Sequence, residues 1–479
     1  MLLHLDFNII SIKLYILILF ILFISLILTH TSRIFFSKKL INICGIFIDI
    51  PIFIYFNIYL LCIISYFIFC VAFFYNNKDD LLDYLGIWLS IQLSIIFFPV
   101  TRNSFLIYFF KISHSTMVNT HKFISYIFCI SVIIKFIIVM IIYENSFIIQ
   151  LQNTSNNGSP LSGTLSFIMN ICILIFSNSY IRNKWYELFL YSHKIFVTLI
   201  LTGAFFHLTT TVYYMIPSLT LYIIDVIIRF CRIKKSKYSS ITILEENNVN
   251  KYIILKLILN KNVKITNSYY MICIKNISSS EWHPFSLLEQ HNNTYVFCAK
   301  IIDDDKSWTG KINNKTIKDD IYIQGPYLYF ENINFNIYNN IICITSGTGI
   351  IPILHKLKEL NKIKINKKLD NLNNIILIWV SKDTCLVKYL LDYIIQLNHS
   401  YIKISIYITE PINFIGYDSS FIKYKRPNIK DIFKKFNIKK SKLCSQPKMA
   451  VLACGNDNLI NDVKIQSNIY GLDFYNEKH

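Results

Sequence analysis

Two different patterns of apolar residues divide the chain near residue 232. Before that point, runs of Ile, Leu and Phe are long enough to cross a bilayer as helices. After it, short alternating apolar runs lie between Lys- and Asn-rich segments, as is typical of water-soluble domains. The candidate spans share this length and apolar character, and they lie at about 14–30, 50–75, 84–100, 122–143, 164–181, 188–208 and 212–230.

The loops between these candidate spans predict one orientation. The loop at 76–84 is acidic, and the loop at 143–159 has no Lys or Arg but carries two N-glycosylation sequons, at Asn153 and Asn157. The intervening loops are basic, at 32–39, 100–111, 180–185 and 229–238. Because basic loops stay on the cytosolic side, we expect a multi-pass protein of the plasma membrane or an organelle, with its soluble half in the cytosol. The first run has no cleavage signal and is interpreted as an anchor.

The soluble half changes pattern once more. Short alternating runs over 240–330 predict a small antiparallel β-barrel. From residue 338, buried runs followed by glycine turns and helical segments predict a parallel sheet with crossover helices. The turn SGTGIIP, at 346–352, follows such a run, and its backbone amides could meet a pyrophosphate.

Composition supports the membrane half and excludes one class of partner. The chain has 479 residues, of which 53% are hydrophobic and 16% charged, and its mean hydropathy is +0.43. The net charge of +19 comes from lysines scattered through Asn- and Ile-rich segments. No basic stripe with interleaved aromatic residues is present, so we expect no nucleic-acid partner.

Three histidines in the membrane half suggest a metal site. His121 begins the fourth span, whereas His193 and His207 lie fourteen residues apart on the sixth. That spacing is a rise of about 21 Å on nearly one helix face. Imidazoles at matching depths on neighbouring helices can hold a haem iron from both sides. The alternative is a set of polar residues that simply face the bundle interior.

Several motifs together resemble one family. EWHPFSL, at 281–287, resembles the flavin-binding HPFT signature of the ferric reductase and NADPH oxidase superfamily. The resemblance extends over nearly the whole chain after about residue 45. Further similar segments occur in the family's order: PVTRN, SWTGKI, GPYLYF, SGTGIIP, IWVSKD and LACGND.

The resemblance implies a fold for each part of the chain. A membrane α-helical bundle of about six core spans plus one N-terminal span would precede a ferredoxin-NADP-reductase-like module. That module would consist of an antiparallel β-barrel FAD domain and an α/β parallel-sheet NADP domain. The expected domains are an N-terminal span at 1–44, a haem-binding domain at 45–232, an FAD barrel at 238–332 and an NAD(P) domain at 338–479.

The resemblance also implies a flavin site on the barrel. His283 would face the flavin phosphates, Phe285 would pack on the isoalloxazine ring, and Ser286 would act catalytically near the reactive nitrogen. The full implied set is His283, Pro284, Phe285, Ser286, Gly325 and Pro326. The family's usual second glycine in the last segment is Leu328 here.

A nicotinamide nucleotide site is implied in the same way. Lys382 would lie near the 2′-phosphate of NADPH, and Cys454 would act beside the nicotinamide, although a buried structural cysteine is the alternative. Asn456 stands where the family usually has proline. The remaining implied contacts are Gly347, Thr348 and Gly349 on the pyrophosphate and Gly455 beside Cys454.

One expected haem ligand is replaced. His121, His193 and His207 match the family's haem positions, but fourteen residues after His121 stands Lys135. Either only one haem binds, or the lysine amine ligates the outer iron, or the outer haem is five-coordinate, or the helix alignment is shifted.

The implied function is electron transfer from cytosolic NADPH through FAD and haem b to an acceptor on the other side of the membrane. Fe(III) chelates are the first-choice acceptor, which would make the protein a ferric-chelate reductase. A superoxide-generating NADPH oxidase that reduces O₂ is the alternative. A degenerate, non-enzymatic membrane subunit is the alternative from another class. The sequence leaves a regulatory protein partner open.

Overall fold

A computed structural model gives the fold of most of the chain. The first candidate span, Asn103 and the sequons at Asn153 and Asn157 lie outside the described residues. The residues described are 40–43, 46–74, 77–102, 114–152, 159–246, 250–259, 268–278, 281–301, 308–312, 321–328, 333, 335–365, 371–382, 384–397, 400–410, 421–435 and 449–478.

The described residues form two compact units, one of which includes Pro51–Ile227 and the other Ile228–His479. A short antiparallel hairpin, β1 (Leu40–Ile43) and β2 (Ile46–Asp49), precedes the first helix. The predicted domain boundaries within these units stay predictions.

The first unit is helical, as the long apolar runs predict. Among the described residues, four helices are long and apolar enough to cross a membrane, at 78–100, 117–143, 186–207 and 211–231. The helices are α1 (Ile50–Phe74), α2 (Lys78–Phe97), α3 (His114–Tyr143), α4 (Phe147–Gln152), α5 (Pro160–Phe176), α6 (Ser179–Lys184), α7 (Tyr186–His207) and α8 (Thr211–Cys231).

Helix α2 lies inside the bundle, whereas α7 exposes much of its apolar surface. The buried polar side chains of α2 pair with neighbouring helices: Gln92 accepts from the hydroxyl of Ser131 at 3.0 Å. Ser90 and Thr211 share a hydroxyl hydrogen bond of 2.8 Å. Such pairs satisfy polar groups where lipid offers no partners. The apolar outer surface of α7 is therefore suited to contact lipid.

The barrel of the second unit closes in the order β3-β4-β7-β6-β5-β8. Its interior is filled by alternate residues of its strands, among them Leu255, Ile272 and Phe297. The strands are β3 (Ile233–Glu246), β4 (Asn250–Ile258), β5 (Ser268–Ile274), β6 (His283–His291), β7 (Thr294–Lys300) and β8 (Ile321–Leu328).

The parallel sheet follows in the order β12-β11-β10-β9-β13-β14. The chain starts at β9, moves outward in one direction to β12, and then resumes on the other side of β9 with β13. The strands are β9 (Asn340–Ser346), β10 (Asn374–Ser381), β11 (Ile402–Ile408), β12 (Ile422–Lys423), β13 (Met449–Gly455) and β14 (Asp473–Lys478). The helices are α9 (Ile350–Ile365), α10 (Thr384–Ile395), α11 (Ile429–Lys435) and α12 (Asp457–Ile469).

Barrel and sheet share one hydrophobic core. Tyr252, Leu288 and Val296 of the barrel belong to the same buried cluster as Leu354 and Trp379 of the α/β part. The helical bundle, the closed barrel and the parallel sheet thus confirm the predicted fold class.

Candidate functional site

The described structure brings His121 and His193 together inside the helical unit. Their ring centroids are 6.4 Å apart, with an interplanar angle of 70°. Nδ1 of His121 lies 3.1 Å from the carbonyl oxygen of Ile96, and Nδ1 of His193 lies 3.2 Å from the hydroxyl of Ser177. When Nδ1 bonds to such an oxygen, the tautomer that leaves Nε2 with its lone pair is favoured.

This arrangement fits a metal with two axial imidazoles. Two metal–nitrogen bonds of about 2 Å, each extended by roughly 1.1 Å to the ring centre, place two imidazole centroids about 6.3 Å apart. The observed separation is 6.4 Å. His121 and His193 would therefore hold a haem iron between them, as the sequence predicts, and the iron would carry single electrons.

His207 lies at the other end of α7, against small residues of α5. Its Nδ1 is 3.1 Å from the carbonyl oxygen of Ser159. A Cβ on Gly163 would lie 2.6 Å from Nδ1 of His207, so the imidazole occupies the space that this glycine leaves. Both residues line a cavity of about 550 Å³, and so does Lys135.

The nucleotide turn lies where the strand order reverses. Gly347–Gly349 follows β9, and Cys454 and Gly455 end the neighbouring strand β13. A Cβ on Gly349 would lie 2.7 Å from the carbonyl oxygen of Cys454, which only a glycine avoids. Gly347 has φ +53° and open space where a side chain would be. In parallel sheets, ligands bind in the crevice at this reversal point.

Residues around this turn fit a nucleotide that meets backbone amides. The half-buried Thr348 lies between the two glycines. The backbone amide of Asn456 donates to the hydroxyl of Ser346 at 3.1 Å, which joins the two turns. The side chain of Asn456 caps α12 by accepting from the amide of Leu459 at 2.9 Å. This cap gives the asparagine a physical role at the position where the family has proline.

Cys454 is fully buried at the end of β13. Burial, followed by the nearby Glu477 carboxylate, raises the pKa of the Cys454 thiol well above its ordinary value. A neutral thiol is a poor nucleophile. Cys454 is thus suited to shape a nicotinamide site by packing, not to attack a substrate.

Lys382 is already paired in this structure. Its ammonium lies 3.1 Å from the carboxylate of Glu410, and both side chains are more than half exposed. The two residues follow the neighbouring parallel strands β10 and β11, and the amide of Thr409 donates to the carbonyl of Ser381 at 3.0 Å. A 2′-phosphate at Lys382 would therefore meet a carboxylate as well as an amine.

The flavin motif begins β6, and its first residue contacts an aromatic partner. The ring of His283 stacks on Trp308, with centroids 4.3 Å apart and an interplanar angle of 24°. The indole Nε1 of Trp308 is buried and has no hydrogen-bond partner among the described residues. This nitrogen is suited to donate to an acceptor such as a phosphate oxygen.

Phe285 requires a correction to the expected packing. Its ring is 2% exposed and belongs to the barrel core, where it meets Phe297 edge-on with centroids 6.5 Å apart. The expectation that Phe285 packs on the isoalloxazine conflicts with this position. Side chains alternate along a strand, so Pro284, which is exposed, and Ser286 point away from that core.

Other predicted flavin residues meet at the paired strands β5, β6 and β8. Ser286 lies opposite Tyr269, which in turn lies opposite Tyr327. The rings of Tyr269 and Tyr327 stack with centroids 5.3 Å apart. Gly325 has φ +146°, and a Cβ there would lie 2.9 Å from the ring of Tyr270. The half-buried Pro326 follows it, so the structure brings the HPFS and GPY segments together.

Some of these residues have little signal in the sequence. Tyr269 and Tyr327 stand within alternating runs where every second residue is apolar, and Glu410 follows a strand without any motif. Trp308 stands out only as part of SWTGKI. Their positions become meaningful only with the strand order, which local patterns do not contain.

Two known families match this chain. "Ferric reductase like transmembrane component" matches residues 85–204, and "Ferric reductase NAD binding domain" matches residues 338–414. The first range includes His121 and His193, and the second includes Gly347–Gly349 and Lys382.

Curated relatives point to the same superfamily. Ferric reduction oxidase 4 of Arabidopsis thaliana is 25% identical over 300 residues, which are 60% of this chain and 41% of the relative. A superoxide-generating NADPH oxidase heavy chain of Dictyostelium discoideum is 26% identical over 341 residues, covering 60% and 48%. Ferric reductase transmembrane component 6 of Saccharomyces cerevisiae is 22% identical over 428 residues, covering 80% and 57%. This chain thus spans about two fifths to three fifths of the length of these relatives.

Among solved structures, a ferredoxin NADP⁺ reductase from Neisseria gonorrhoeae with bound FAD and NADP aligns at 14% identity. It covers 52% of this chain and 98% of that chain, with a TM-score of 0.39, which is too low to support an inference.

A helical membrane bundle with apposed histidines, followed by a barrel and a nucleotide-binding sheet, defines an integral membrane oxidoreductase. The chain belongs to the ferric reductase and NADPH oxidase superfamily, which confirms the resemblance.

Proposed function

We propose that this protein transfers electrons across a membrane, from NADPH through FAD and haem to Fe(III) chelates on the opposite side. The observation that carries the proposal is the 6.4 Å separation of the His121 and His193 rings within the helical unit. That separation suits an electron-carrying iron and has no use in a bundle held only by packing.

Bound NADPH, FAD and haem would supply the hydride and electron chemistry, and the chain would hold and orient them. Gly347 and Gly349 keep side chains out of the crevice, so backbone amides can approach a pyrophosphate. His283 and the indole nitrogen of Trp308, which has no partner among the described residues, present donors beside the barrel for a phosphate. Ser286 offers a hydroxyl on the barrel's outer side for the flavin ring.

In the helical unit, the two imidazoles do the binding. The oxygens at Nδ1 of His121 and His193 fix ring orientation and keep Nε2 available. The basic loops favour a cytosolic soluble half, which would place the nucleotide site on the side where NADPH is available.

Reduction of a chelated iron tests this proposal. Membranes containing the full chain should reduce Fe(III) chelates with NADPH, and superoxide dismutase should not change the rate. His193→Leu should abolish the activity, whereas His291→Leu, a change at an exposed barrel residue, should preserve it. Equal rates for both variants would contradict a path through the histidine pair.

Superoxide production is the second candidate, because one relative at 26% identity is a superoxide-generating NADPH oxidase heavy chain. In the same membranes, superoxide release with little chelate reduction would select that acceptor. Purified protein without flavin or haem absorbance would instead favour a non-enzymatic subunit.

A further inference from the structure

The cavity around Lys135 and His207 has the features of a second haem site with an unusual ligand. Its volume of about 550 Å³ falls within the range of about 300–1,000 Å³ that is usual for cofactor pockets. Helices α2, α3, α5, α7 and α8 all contribute to its walls. Lys135 is only 9% exposed, although it carries an ionisable amine.

The helix spacing relates this cavity to the histidine pair. Lys135 follows His121 by fourteen residues on α3, and His207 follows His193 by fourteen residues on α7. Equal steps of about 21 Å along two helices that run in the same direction lead to one level. Lys135 and His207 do line the same cavity, and the two side chains are close enough to interact electrostatically.

Two glycines make room for these side chains. A Cβ on Gly86 would lie 3.1 Å from the amine nitrogen of Lys135, just as one on Gly163 would contact the ring of His207. Nδ1 of His207 is held by the carbonyl oxygen of Ser159, which leaves Nε2 as the nitrogen that can bind a metal. The site therefore contains a prepared imidazole and a buried amine.

We propose that this cavity holds a second haem whose iron is bound by Nε2 of His207 on one side and by the amine of Lys135 on the other. Only a neutral amine has a lone pair for iron, so its extra proton must leave when the iron binds. The carboxylate of Asp83 lines the same cavity and is a base that can accept this proton. The inference rests on the proposed electron-transfer function.

Haem content and spin state test this ligand assignment in the purified full chain. The wild type should contain about two haems per polypeptide, and its oxidised electron paramagnetic resonance spectrum should show two different low-spin signals. Lys135→Leu, which removes the donor, should eliminate one low-spin signal and leave the signal of the His121/His193 haem. Lys184→Leu, the same change at an exposed lysine outside the cavity, should leave both signals unchanged.

Lys135→His provides a second variant in case the leucine disturbs folding. It should retain about two haems and give two bis-imidazole signals. One haem per wild-type chain, or an identical spectrum for the wild type and Lys135→Leu, would overturn the lysine assignment while leaving the proposed function intact. A protein without any haem would overturn both.

Discussion

Acidification should destabilise the soluble unit through His355, which lies on the helix that follows the nucleotide turn. His355 is 9% exposed and hydrogen-bonds to the backbone of Leu287 and Leu288 in the flavin strand. Its Nε2 is buried and has no partner among the described residues. Burial lowers the pKa of His355 from 6.5 to about 4. The folded protein therefore keeps this imidazole neutral at pH values where the unfolded chain already binds a proton.

The sign and size of the effect follow from this difference in proton binding. The stabilisation is complete above about pH 6.5, is lost as the pH falls, and levels off below about pH 4. With these two pKa values, the free energy of unfolding should decrease by about 2 kcal/mol at about pH 5 and by about 3 kcal/mol at the acid limit. For a unit of this size, the change at pH 5 corresponds to a melting temperature lower by about 5 °C.

Thermal unfolding of the detergent-solubilised full chain, followed by near-ultraviolet circular dichroism, measures this effect. The wild type should lose stability between about pH 7 and about pH 5, and His355→Gln should remove most of that dependence. His291→Gln is the matched control, because the side chain of His291 is 77% exposed. If His355→Gln kept the full pH dependence of the wild type, the buried imidazole would not be its source.

Further predictions concern the nucleotide site. Glu410→Gln frees Lys382 from its carboxylate partner and should lower KM for NADPH several-fold, with little change for NADH in steady-state assays. Gly349→Ala forces a Cβ against the carbonyl of Cys454 and should weaken NADPH binding at least tenfold by calorimetry, whereas flavin content stays unchanged. Asn456→Ala removes a helix cap and should destabilise the soluble unit by about 1 kcal/mol in denaturant unfolding; an unchanged unfolding midpoint would contradict the cap.

The architecture was largely predictable because it depends on local patterns. Apolar runs of membrane length indicated the helices, and a change from alternating to continuous apolar runs separated the barrel from the parallel sheet. The glycine turn at Gly347 and the segment at Cys454 are recognisable separately along the chain. Their meeting at one crevice depends on β13 pairing directly with β9, which is a property of strand order.

Side-chain direction at the flavin motif was harder to predict. The motif alone implies that Phe285 contacts flavin, but the strand pairing turns this ring into the barrel core. A shift of one residue in strand register reverses which side chains face the core. The stacking of His283 on Trp308 depends similarly on a segment that is distant in sequence. Both features require the three-dimensional pairing of β6 with its neighbours.

The histidine pair also decides between two explanations for the lysine in the fourth span. If the alignment of α3 were shifted, His121 would not face His193, and Lys135 would not share a cavity with His207. Both contacts occur together in the structure. Because one helical residue rotates a side chain by about 100°, even a single-residue shift would separate both pairs. Lys135 therefore stands at the ligand position itself, and the replacement is a change of donor and not of helix register.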